Sequence, residues 1–106
     1  MISSNIAQAQ SAKFTNELRE CRVRAGMKAR FEATYAGNPT PDFTWLFNGK
    51  ELPESDNFKI KVRDTTVSLT IFETTMAMTG YYQCIAKNEL GTDTTRAGLT
   101  VNSKFT

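Results

Sequence analysis

The sequence predicts an all-β fold, a sandwich of two antiparallel sheets, on three observations. Short segments alternate apolar and polar residues with the two-residue period of a half-buried strand: Ala29, Phe31, Ala33 and Tyr35 against Lys28, Arg30, Glu32 and Thr34, then Phe58, Ile60 and Val62 against Lys59, Lys61 and Arg63. Turn chemistry separates these segments, with Gly37-Asn38-Pro39, Asn48-Gly49 and Asp64-Thr65 at the breaks. A single tryptophan, Trp45, sits in an aromatic-rich run, Asp42-Phe43-Thr44-Trp45-Leu46-Phe47, as one large plug for a shared core. At 106 residues, with 40% hydrophobic and 23% charged residues, the chain has room for one soluble domain of ordinary composition.

Taken in order, residues 1–12 lack any alternation and read as a polar leader or linker, residues 13–102 as the domain, and residues 103–106 as an exit linker. Residues 20–25 read as a short strand with Cys21 and Val23 facing inward. Residues 27–36 follow as a longer strand whose inner face carries Phe31 and Ala33. In the next strand, alternation sends Phe43 and Trp45 to one face and leaves Leu46 on the other. Residues 58–63 form a strand with a basic outer face, and Val67, Leu69 and Ile71 form the inner face of its successor. Around Cys84 the pattern is Gly80-Tyr81-Tyr82-Gln83-Cys84-Ile85-Ala86, and the turn after it contains Asn88 and Gly91, both able to adopt positive φ cheaply. Leu99 and Val101 close the series. The expected core is Phe31, Ala33, Trp45, Leu69, Ile71, Tyr82, Cys84 and Leu99.

These motifs, together with Gly37-Asn38-Pro39-Thr40-Pro41 before the Trp45 strand, Asn48-Gly49-Lys50 after it, and Leu99-x-Val101, resemble the I-set immunoglobulin domains, above all those repeated along giant intracellular muscle proteins. The resemblance spans roughly residues 13–101. It implies that Tyr82, two residues before Cys84, forms a tyrosine corner, a buried ring whose hydroxyl returns to upstream backbone. Two positions depart from the family pattern. Ala33 stands where the family places the first cysteine of its inter-sheet bridge, and Met78 stands where an aspartate often caps a turn. A bridge closing a loop of roughly fifty residues would stabilise the fold by about 4 kcal/mol in a chain-entropy estimate. This domain is expected to hold without one.

The strand order implied by the resemblance puts Cys21 two strands away from Cys84, on the order of 9 to 10 Å at about 4.8 Å per step, beyond the roughly 7 Å reach of a disulfide. Both are therefore expected to be free thiols with packing roles, and no disulfide is predicted. The chain has no histidine, which removes the usual general base and the commonest transition-metal ligand. Its two cysteines lie on different strands and cannot form a zinc site, and no glycine-rich loop cradles phosphate. Glu51, Glu54 and Asp56 gather acidic groups without the ligand spacing of a calcium loop. Asn38-Pro39-Thr40 fails as a glycosylation acceptor because of its proline. No catalytic residue, metal or cofactor is predicted. A net charge of +2 gives no basis for nucleic-acid binding, and no apolar run is long enough to cross a bilayer.

Two surface features remain. Lys59, Lys61 and Arg63 project from one face at every second residue, as either a partner-binding stripe for an acidic surface or a solvated guard against edge-to-edge pairing. Leu46 and Ile85 are expected outward on neighbouring strands near Tyr81, as a small apolar docking patch or as ordinary scattered surface. The sequence reads as a non-catalytic structural and interaction module of a larger chain. The family resemblance implies a cytoplasmic, sarcomeric or cytoskeletal setting, neighbouring domains of the same chain as partners, and filament proteins such as actin or myosin as further candidates. A monomeric isolated domain is expected. The competing readings are a binding domain of a cell-surface adhesion molecule or receptor, and a regulatory domain beside a kinase; sequence flanking this segment discriminates them.

Overall fold

The computed structural model describes residues 9–103. Nine strands follow one another: β1 (Gln10–Asn16), β2 (Cys21–Arg24), β3 (Ala29–Asn38), β4 (Asp42–Phe47), β5 (Lys50–Glu51), β6 (Phe58–Arg63), β7 (Thr66–Ile71), β8 (Gly80–Asn88) and β9 (Gly91–Asn102), with a single 3-10 turn at Met76–Met78 before β8. They form a four-stranded sheet in the order β1-β3-β7-β6 and a five-stranded sheet in the order β2-β9-β8-β4-β5. All pairings are antiparallel except one. The opening segment leaves the β3 edge after Asn16 and crosses to the other sheet, where β2 pairs parallel with β9 from Cys21↔Leu99 to Arg24↔Asn102. A parallel pair needs a long crossover, and almost the whole domain serves as that connection.

The inner faces of the two sheets meet in one core. Phe31, Val67, Leu69 and Ile71 from one sheet face Trp45, Tyr82, Cys84, Ala86 and Leu99 from the other, none more than 1% exposed. Ala33 lies among them at 2%. Register fixes this arrangement, because in a strand a slip of one residue would send every one of these side chains outward. Phe31 stands opposite Leu69, which stands opposite Ile60, and Trp45 stands opposite Cys84. The Trp45 Nε1–H finds no acceptor among the described residues, so the indole is held by the area it buries.

Several sequence expectations shift at their boundaries. The polar leader expected over residues 1–12 overlaps β1, which begins at Gln10 and buries Ala12 to 3% exposure. Its residues 1–8 lie outside the described residues, as do residues 104–106 of the expected exit linker, while Asn102 still belongs to β9. β3 starts at Ala29 instead of residue 27, and Met27 is 59% exposed in the preceding turn. Val62, expected inward with Phe58 and Ile60, is 46% exposed, because the inner face of an edge strand runs out of opposing sheet at its end.

The turn after β8 also works differently from expectation. Positive φ among non-glycine residues occurs at Asn48 and Asp64, and neither Asn88 nor Gly91 adopts it. Asn88 makes the turn with its side chain: Oδ1 accepts from the backbone N–H groups of Leu90 at 3.0 Å and Gly91 at 3.1 Å. Glycine at position 91 serves close packing, since a Cβ there would collide with the Ser11 hydroxyl on β1. At Gly80 the need is similar. A Cβ would sit 2.6 Å from Asn48 Oδ1, and that oxygen accepts the Tyr81 N–H at 2.9 Å.

Candidate interaction surfaces

The outer face of the four-stranded sheet is shaped like a trough. Its floor is the central strand β7, whose outward residues Thr66, Ser68 and Thr70 are short. Cross-strand register gives each a long neighbour on the edge strand: Lys59 beside Thr70, Lys61 beside Ser68, Arg63 beside Thr66. The opposite wall comes from β3, where Arg30 stands beside Thr70, Glu32 beside Ser68 and Thr34 beside Thr66. Two recesses of about 380 and 280 Å³ open between these walls. Ser68 is 4% exposed at the bottom, while Lys59, Lys61 and Arg63 are exposed. Arg30 is bridged to Glu32 at 3.7 Å, and no ion pair engages the three β6 cations among the described residues.

The outer face of the five-stranded sheet is flatter and mixed. Leu46 and Ile85 both point outward and half-buried, Leu46 beside Gln83 and Ile85 beside Thr44 and Thr94. Tyr81 lies on the same face, 56% exposed, with the Arg96 guanidinium 4.9 Å from its ring centroid. The ring leans across Gly98, its cross-strand partner, covering backbone that a side chain would otherwise shield. Leu46 and Ile85 are therefore neighbours, but Gln83 and Thr44 interrupt the apolar surface between them.

In the core, the Tyr82 hydroxyl donates to the Met78 carbonyl at 2.8 Å, the geometry of a tyrosine corner. The ring packs between Phe31 at 5.2 Å and Phe47 at 4.7 Å, tilted 32° and 31° to them. Met78, where the family pattern often has a capping carboxylate, belongs to the 3-10 turn with no side-chain cap, and its backbone N–H donates to the Thr75 carbonyl at 3.0 Å. Burial pushes the Tyr82 hydroxyl up to about 12 and the Cys84 thiol up to about 12, because the low-dielectric core disfavours both anions. Cys84 is therefore protonated and unreactive at neutral pH. Both cysteines are free. Cys21 aligns with Leu99 and through it with Gly80, four residues along β8 from Cys84. Two strand spacings and that offset separate them by roughly 16 Å, well past the reach of a disulfide. Among the described residues no group of three or more His, Cys, Asp or Glu side chains is placed to hold a metal ion.

Sequence reasoning missed a set of polar residues that lash β1 and the link that follows it to the sheet β1 does not belong to. Asn88 Oδ1 accepts the Ala12 N–H at 3.3 Å, Asp93 Oδ2 the Phe14 N–H at 2.8 Å, and Thr95 Oγ1 the Leu18 N–H at 3.0 Å. Asn88 Nδ2 donates to Gln10 O at 2.8 Å and to Pro39 O at 3.0 Å, so one side chain joins β1, the β3–β4 turn and the β8–β9 turn. The alternate spacing of Asp93 and Thr95 was visible in the sequence, but their target, nearly eighty residues away, was not.

The immunoglobulin I-set domain model matches residues 12–101. The chain is 38% identical over 96 residues to titin of Drosophila melanogaster, covering 91% of this chain and a share of titin that rounds to 0%. It is 34% identical over 106 residues to muscle M-line assembly protein unc-89 of Caenorhabditis elegans, covering 99% of this chain and 1% of that protein. It is 38% identical over 88 residues to myopalladin of Mus musculus, covering 83% and 7%. The chain thus corresponds to a small part of each of these muscle proteins. Among solved structures, titin M4 superposes with a TM-score of 0.87 at 26% identity, over 89% of this chain and 98% of that one. Titin domains z1z2 in complex with telethonin give 0.85 at 29% identity, over 90% and 48%. Fold, core, tyrosine corner and family match converge on one conclusion: this chain is a structural or interaction module and belongs to the immunoglobulin I-set family.

Proposed function

We propose that this domain is a load-bearing, non-catalytic spacer in a multidomain muscle or cytoskeletal protein of the cytoplasm, and that its exposed sheet faces dock partners. The observation that supports the load-bearing role most directly is the parallel pairing of β2 with β9. One strand lies near the start of the chain and the other at its end. Tension applied at the two ends pulls β2 back along its own axis and β9 forward along the same axis. The pair is therefore sheared, and its hydrogen bonds are loaded together instead of being opened one at a time. Ala25 N–H donates to Asn102 O at 2.8 Å, and the two-residue repeat of the ladder directs the Val23 N–H to β9 in the same way. The side-chain lashings from Asn88 and Asp93 to β1, and from Thr95 to Leu18 in the link to β2, secure the chain just ahead of this patch.

Muscle relatives and two free thiols support the cytoplasmic setting, since reduced cysteines are the rule there. Neighbouring domains of the same chain are the first partners. Filament proteins such as actin or myosin are the next, approached through the Lys59, Lys61 and Arg63 face or through Leu46 and Ile85. The load-bearing reading is tested by single-molecule stretching of the domain within a tandem polyprotein. Val23→Pro removes one donor from the sheared ladder. It should lower the unfolding force by more than an Ile60→Ala variant of equal equilibrium stability, whose site lies on the opposite sheet. Equal unfolding forces in the two variants would remove the shear argument.

A further inference from the structure

The trough over β7 has a geometry that a passive charged edge does not require, and we infer that it is a docking site for an extended acidic polypeptide segment carrying Asp or Glu at alternate positions. The inference specifies the docking half of the function proposed above and leaves its load-bearing half untouched.

Three features lead to it. The first is the division of labour at the β6 edge. A free strand edge is hazardous because of its bare N–H and C=O groups, which point sideways within the sheet plane. Here the Glu54 carboxylate already accepts the Ile60 N–H at 3.0 Å on that free side. Lys59, Lys61 and Arg63 rise instead from the outer face of β6, each beside a short residue of β7, and so line that face as well as the edge. The second is shape. Short hydroxyl residues floor two adjoining recesses between taller walls, one reaching Thr70 and the other Thr66, with Ser68 buried where they meet, and an extended segment laid over β7 would pass across both. The third is spacing. The three cations repeat at every second residue of a strand, about 6.8 Å apart. An extended peptide repeats its own side chains at the same interval, so carboxylates at alternate positions meet the cations in step. Arg30 completes the opposite wall at the Thr70 end, and its partner Glu32 disfavours a second acidic row on that side. A partner with carboxylates on one face only is therefore selected over a uniformly acidic one.

The test uses fluorescence anisotropy with the whole 106-residue chain and two labelled peptides of identical composition, one alternating Glu and Thr, the other with its Glu residues in one block. The alternating peptide should bind about fivefold or more tightly than the block peptide, and its affinity should fall with added salt as exposed charges are screened. The triple variant Lys59→Glu, Lys61→Glu, Arg63→Glu should lose at least about tenfold in affinity. Thr70→Tyr, which fills the floor without changing charge, should weaken the alternating peptide selectively. Unchanged far-ultraviolet dichroism and Trp45 fluorescence would show that each variant is folded. Equal affinity for the two peptides would reduce the attraction to diffuse charge and overturn the inference, as would unchanged binding by the triple variant or by Thr70→Tyr. Failure of the alternating peptide to bind the wild type overturns it outright, while the stretching experiment retains its meaning.

Discussion

Replacing Tyr82 with phenylalanine isolates the tyrosine corner while leaving the aromatic core filled. The ring is 0% exposed and packed between Phe31 and Phe47, so Tyr82→Phe keeps nearly all of its buried area. What goes is the 2.8 Å hydrogen bond to the Met78 carbonyl. A typical bond of this kind contributes about 1 kcal/mol net, and a carbonyl left without its partner adds a further penalty, so a loss of about 2 kcal/mol is expected. For a domain of this size that corresponds to a fall in Tm of roughly 8 to 16 °C. Equilibrium urea unfolding followed by Trp45 fluorescence at pH 7 measures it, with the m-value unchanged if the denatured state is unaffected. The same variant makes a second, independent prediction at alkaline pH. The hydroxyl ionises at about 12 in the fold against 10 in the open chain. The unfolded chain therefore gives up this proton first, and stability that is complete below pH 10 is lost as pH rises towards 12. Cys84, raised from 9 to about 12, contributes loss of the same sign beginning one unit lower. Stability of the wild type should thus decline from pH 9 upward, and Tyr82→Phe should decline less steeply between pH 10 and 12. Equal midpoints at pH 7, together with identical alkaline slopes, would refute the role assigned to this hydroxyl.

Restoring the family's cysteine through Ala33→Cys should allow a bridge to Cys84 under oxidation, since both positions are buried in the same core, and should raise stability by about 4 kcal/mol relative to the reduced variant. A thiol count that still finds every cysteine free after oxidation would show that the two positions do not oppose each other. Asn88→Ala removes five hydrogen bonds, two to β1, one to the β3–β4 turn and two within the β8–β9 turn, and an overall cost of about 2 kcal/mol is expected in denaturant unfolding. Hydrogen exchange should locate the damage, with faster exchange at the amides of Ala12, Leu90 and Gly91 while the β8 core stays protected; uniform exchange across the domain would contradict a local tether.

The sequence alone determined the fold class, the family and most of the core, because each rests on a local signal. Alternation assigned Phe31, Ala33, Leu69 and Ile71 to an inner face. The family resemblance placed the tyrosine corner at Tyr82, two residues before Cys84, and marked Ala33 as the missing half of the bridge. The outward direction of Lys59, Lys61 and Arg63 was legible for the same reason, since a strand's period settles which face a side chain takes. Only the tertiary structure decided what lies across from those faces. It turned a basic stripe into one wall of a trough by setting β7 and β3 beside it. It exposed Val62 where the opposing sheet ends, and it placed β1 and the link after it against Asn88, Asp93 and Thr95 from the far end of the chain. It also made the β2–β9 pair parallel. Each of these depends on which distant segments become neighbours, and that is fixed by the simultaneous packing of two sheets around one core. No periodicity within a single segment contains that information.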